Sequence, residues 1–126
     1  MKIGTLLARI LLGMIFVVFG SNAFLHFIPV ILPSGLAGQF LTVLIQSHYV
    51  LFIGVVQVAG GALQLVNRYV PLALALLGPV IVNILLYHLL LDHAGAALAI
   101  LVAIFWGVLA FRHRQSFSSL LVQRTS

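Results

Sequence analysis

The chain contains no cysteine. Thiol relays, cysteine-ligated zinc, iron–sulfur clusters and covalently attached c-type haem all need sulfur, so none of them is intrinsic to it. Acids are almost as scarce, with Asp92 the single carboxylate side chain among 126 residues. One carboxylate excludes acid/base chemistry that needs a pair. P-loop, dinucleotide-binding and serine-hydrolase motifs are also absent. Cations are few and scattered: Lys2, Arg9, Arg68, Arg112, Arg114 and Arg124. Charged residues make up 6% of the chain and hydrophobic ones 63%, whereas about 25% charged is usual for a soluble domain. The net charge of +5 sits on isolated residues beside apolar runs. That pattern reads as membrane orientation, with no nucleic-acid partner.

Long apolar runs take the place of charge. Uncharged stretches of 58, 23 and 19 residues separate Arg9, Arg68, Asp92 and Arg112. At about 1.5 Å per residue through about 30 Å of hydrocarbon, they hold two, one and one helical crossings. The expected fold is all-α: one integral membrane domain, 1–126, built as a four-helix bundle. Its spans lie at about 5–27, 49–66, 69–91 and 95–111, with an interfacial segment at 28–48 and a basic cytoplasmic tail at 112–126. Lys2, Arg9 and the run 10–19 before Ser21-Asn22-Ala23 also fit a cleaved signal peptide, but the apolar stretch continues through Phe24, Leu25 and Phe27, favouring a retained helix.

Pro29, Pro33, Gly35 and Gly38 break the next stretch. Beyond them Gln39, Thr42 and Gln46 fall opposite Phe40, Leu41, Leu44 and Ile45. This spacing predicts a short amphipathic helix at headgroup level, with an apolar loop packed on the protein as the alternative. Asn67 and Arg68 form a tight turn, which makes the flanking spans antiparallel. With the N-terminus inside, all six cations are cytoplasmic, so the topology reads N-in and C-in. In the tail, Phe117, Leu120, Leu121 and Val122 either rest on the membrane between Arg114 and Arg124 or are disordered.

The helix faces supply candidate surfaces. Gly95, Ala99, Ala103 and Gly107 recur every four residues as a small-residue ridge, suited to packing within the bundle or to a homo-oligomer contact. Gly54, Gln57, Gly61, Gln64 and Arg68 form a polar and small stripe that should face inward. Depth counting puts Asn22, Gln57 and Asn83 near one level, either bonding helix to helix or lining a small-molecule pocket. Pro79 removes an amide donor, leaves the Ala75 carbonyl without its usual partner and should kink the third span before Asn83.

His26, His48, His88 and His93 gather with Asp92 near outer helix ends, whereas His113 is cytoplasmic. His88 and Asp92 are spaced for the carboxylate to orient the imidazole. These groups could be drawn as a metal site, or His26 and His88 as haem ligands, but no HxxxH or ExxH pair appears, and no metal is assigned. Asp92 at the membrane edge also argues against a proton relay across it.

The chain resembles the DoxX family of small four-span bacterial membrane proteins over nearly its whole length. The resemblance is carried by Ala8-Arg9-Ile10-Leu11-Leu12-Gly13-Met14-Ile15-Phe16 with Gly20, by the broken segment before the second span, and by Gln57-Val58-Ala59-Gly60-Gly61-Ala62-Leu63. Gly78-Pro79-Val80-Ile81-Val82-Asn83-Ile84-Leu85 with Tyr87-His88 adds to it. The family usually has Glu where this chain has Gln57, so a role needing a carboxylate there does not carry over. The resemblance implies a multi-pass protein of the bacterial inner membrane, related to subunits of membrane oxidoreductase assemblies.

The leading expectation is an anchor or quinone-facing subunit of a redox complex. Asn22, Gln57, Asn83 and His88 would line its cavity, supported by His26, Gln64 and Asp92. No intrinsic cofactor is expected; a quinone is the candidate ligand. The expected partners are the lipid bilayer and an oxidoreductase subunit. The alternatives are a carrier for a small neutral or apolar solute, and a purely structural assembly subunit.

Overall fold

Apolar runs free of charge favour helices, because a helix satisfies its own backbone hydrogen bonds where water is absent. A computed structural model describes residues 2–29 and 31–121, and every regular element among them is helical. Helix α1 spans Lys2–Leu25, α2 Gly35–Gln46, α3 Tyr49–Val66, α4 Val70–Leu86, α5 Ala96–Arg112 and α6 Arg114–Ser118. A π-helical turn, Tyr87–Leu91, prolongs α4, and a 3₁₀ turn, Ser119–Leu121, follows α6. Val122 and Arg124 of the expected membrane-resting tail lie outside the described residues. Within the tail, Phe117 packs against the core while Leu120 is exposed. Burial, and then the charge of Arg112, lowers the pKa of His113 from its ordinary value.

Helices α1, α3, α4 and α5 pack in a closed ring. Leu12, Phe16, Leu74, Leu77 and Leu109 are fully buried at its centre. Large apolar side chains also face outward on each of the four, among them Met14, Phe52, Val82 and Ile104. Helices apolar on both inner and outer faces suit a lipid solvent. Three of them, Lys2–Leu25, Tyr49–Val66 and the joined Val70–Leu91, are long and apolar enough to cross a membrane. At 17 residues α5 is shorter, about 25 Å by the helical rise.

The most extensive contact is between α1 and α3. Gly13 lies against Gly61 and Gly20 against Gly54, each pair close enough that a Cβ on one would stand within 3.0 Å of the other's carbonyl oxygen. Both pairs hold one antiparallel register, and their spacing of seven keeps the seam facing the partner helix. At the end of the seam, Arg9 Nη1 donates to the Gln64 carbonyl and, at 3.2 Å, to that of Leu65. Asn67 then ends α3 in the left-handed region at φ 56°, while the Arg68 N–H reaches the Leu63 carbonyl at 3.1 Å. Pro71 occupies the first turn of α4, where its missing N–H is harmless.

Helix α4 continues through Pro79. Beside it the Trp106 indole lies over Gly78 and donates to the Leu74 carbonyl at 2.9 Å, tying α5 to α4. Trp106→Phe keeps an aromatic ring and removes the donor, so it is expected to lower stability by about 0.5–2 kcal/mol. The thermal midpoint in mild detergent checks this, and an unchanged midpoint would show that the bond contributes nothing.

Candidate functional site at the π-turn

The end of α4 collects the chemistry. The π-turn closes with the Asp92 N–H donating to the Tyr87 carbonyl at 3.0 Å. Such turns are rare and widen the helix by one residue, which changes the direction of the side chains on it. His88 is half-buried, with Nδ1 3.1 Å from the backbone carbonyl of Asp92. A carbonyl only accepts, so Nδ1 carries the proton and Nε2 of the neutral ring is left as an acceptor. The sequence reading paired the imidazole with the Asp92 carboxylate. Instead, Oδ1 accepts from the Ala94 N–H at 3.1 Å and shapes the turn into α5. The backbone of Asp92 orients the imidazole.

Aromatic rings wall this group. Tyr87 meets the His88 ring edge-on, with centroids 5.0 Å apart and planes at 85°. Phe40 of α2 lies 6.0 Å from Tyr87 on a tilted approach. Gly95, in the left-handed region at φ 82°, backs the imidazole so closely that a Cβ there would stand 3.1 Å from His88 Cε1. The arrangement offers one imidazole acceptor, one phenol and two aromatic faces at the edge of the apolar region. His26, His48 and His93 are exposed. Among the described residues no three His, Cys, Asp or Glu side chains gather in a group that could hold a metal.

The other expected cavity residues do not join His88. Asn22 is half-buried and occupied locally: its Oδ1 accepts from the Ile28 N–H at 2.7 Å, and Nδ2 donates to the Ile28 carbonyl at 3.2 Å. That double bond folds the chain back as α1 ends at Leu25, before His26 at φ 54°. Asn83 is exposed on the outer face of α4, and its amide donates to the Pro79 carbonyl of its own helix at 2.8 Å. It therefore points out of the bundle, because the inward face of α4 is that of Leu74, Leu77 and Ile81. Gln57 is half-buried at the α1–α3 seam, where a Cβ on Gly20 would stand 2.8 Å from its Cβ.

The stripe on α3 does turn inward: Gly54, Gly61 and Gln64 are buried, whereas Arg68 at its end is exposed. The small-residue ridge packs along all but its last position, with Gly95 against His88. Ala99 is buried and Ala103 lies against the core, but Gly107 is exposed with nothing near it. Two open grooves are also present. One, of about 370 Å³, is lined by Ser21, Phe24, Leu25, Val55, Val58 and Ala59, and the other, of about 480 Å³, lies along α2 at Pro33, Gln39 and Thr42.

Sequence reasoning passed over Phe40 and Tyr87. The Tyr87-His88 adjacency was the available signal for one of them, but no local pattern brings α2 against the end of α4. No protein-family model, curated protein or solved structure matches this chain.

Proposed function

We propose that the protein is a four-span, DoxX-like subunit of the bacterial inner membrane that anchors a redox complex and presents a quinone site at the π-turn. The observation that carries this reading is the joining of the His88 acceptor to the Tyr87 phenol and the Phe40 ring. In this reading α5 is the fourth span, α2 lies at the outer headgroups, and both termini are cytoplasmic. The cations support that orientation, since Lys2, Arg9, Arg68, Arg112 and Arg114 belong to helix ends that the antiparallel packing brings together. A planar headgroup would stack against Phe40 and Tyr87. His88 Nε2 would accept one hydroxyl proton of the quinol and interfacial water the other, while the two electrons pass to the oxidoreductase partner.

His88→Ala removes the acceptor, and Tyr87→Phe removes the phenol while keeping the ring. Each is expected to weaken quinone binding about tenfold, equivalent to about 1.4 kcal/mol. Quinone retained per purified protein, titrated with a short-chain analogue, measures this. Unchanged affinity in both variants would refute the assignment. The apolar groove of about 370 Å³ between α1 and α3 supports a second reading, a carrier for a small apolar solute. Flux into protein-loaded liposomes without any redox change would favour that one.

A further inference from the structure

Gln64 is the one polar side chain sealed in the core among the described residues, at 0% exposure. Neither its Oε1 nor its Nε2 meets a hydrogen-bond partner among those residues. An amide carries two donor hydrogens and an acceptor oxygen, and buried polar groups in folded proteins nearly always find partners. None of the described residues meets the amide, which leaves both of its polar atoms open to a partner of another kind.

We propose that water enters the Arg9 end of the bundle and hydrogen-bonds the Gln64 side chain, making this a hydrated polar site inside the helix ring. The class of ligand follows from the amide. An anion would serve only the N–H groups and a cation only the oxygen, whereas water donates and accepts. Arg9 supplies the way in: its half-buried guanidinium reaches the backbone carbonyl of Gln64 itself, so a polar line runs from the helix ends to the buried amide. The site is separate from the π-turn, which lies at the opposite end of α4, and does not depend on the quinone reading.

The absence of cysteine makes the test direct. Gln64→Cys, Leu12→Cys and Leu74→Cys each place one thiol at a fully buried core position. A small cationic methanethiosulfonate reagent reacts with the thiolate, which needs water to form. Gln64→Cys is expected to be labelled at least ten times faster than either leucine position, and equal rates overturn the proposal. A second measurement covers any disturbance by the thiol. If the amide were dry and unmet, Gln64→Leu would raise the thermal midpoint by several degrees, whereas a hydrated amide predicts no gain. A rise overturns the proposal.

Discussion

Gly61→Leu is expected to prevent assembly of the bundle, and Gly61→Ala to destabilise it by about 1–3 kcal/mol, the usual range for overpacking a tight interior. The reason is the α1–α3 seam. A Cβ on Gly61 would stand 2.8 Å from the Gly13 carbonyl oxygen and 2.9 Å from the Val17 backbone nitrogen. Backbone atoms cannot rotate aside, so the two helices would have to separate, and the contact between Gly20 and Gly54 would open with them. Gly107→Ala is the control, because nothing lies within 4 Å of that position. There the better helix propensity of alanine should leave stability unchanged or raise it by up to about 1 kcal/mol. Thermal midpoints and size-exclusion profiles in detergent distinguish the two. If Gly107→Ala proved the damaging change, the α5 ridge would be the principal packing surface and the seam described here would be wrong.

Arg9→Met is expected to lower stability by about 1.5–3 kcal/mol, the range for a hydrogen bond involving a charged group. The guanidinium bonds the carbonyls of Gln64 and Leu65, near the negative end of α3, where a cation also complements the helix dipole. Methionine keeps the apolar stem and removes both donors. Arg9→Lys retains the charge and should recover part of the loss, since an ammonium group lacks the planar fork that reaches two carbonyls together. Chemical or thermal unfolding of the three proteins in one detergent gives the ranking. Equal stability of Arg9→Met and the parent chain would leave Arg9 with topology as its only role.

Much of the frame was legible from residue order. The span 49–66 coincides with α3, and Asn67-Arg68 is the turn that follows it. The short helix expected after Pro29 and Pro33 is α2, but it begins at Gly35, so Gly35 and Gly38, read from the sequence as breakers, lie within it. These features are local: they follow from hydrophobic run length, turn residues and breakers, each acting over a few neighbours. The inward stripe on α3 was legible for the same reason, because helical periodicity alone puts Gly54, Gly61 and Gln64 on one face.

Features that depend on two distant segments were not legible. Asn83 and Gln57 fall at similar depths by counting, but depth says nothing about rotation of one helix against another, and Asn83 faces outward. Asn22 was free on paper because its partner, the Ile28 backbone, becomes available only when α1 stops short at Leu25. The small-residue ridge on α5 and the glycines of α1 carry the same kind of signal, and nothing in either sequence says which one meets a neighbour.

The sequence by itself determined that this chain is a set of apolar helices suited to lipid and barred from cysteine-based and paired-carboxylate chemistry, because composition and run length act without tertiary context. Tertiary structure alone decided that α1 and α3 interlock through Gly13, Gly20, Gly54 and Gly61. It also decided that the π-turn sets His88 beside Tyr87 and Phe40, and that the inward-facing Gln64 amide meets no partner among the described residues. Each of these depends on the rotation and register of whole helices, which are settled by side-chain fit over the entire contact and by no single stretch of sequence.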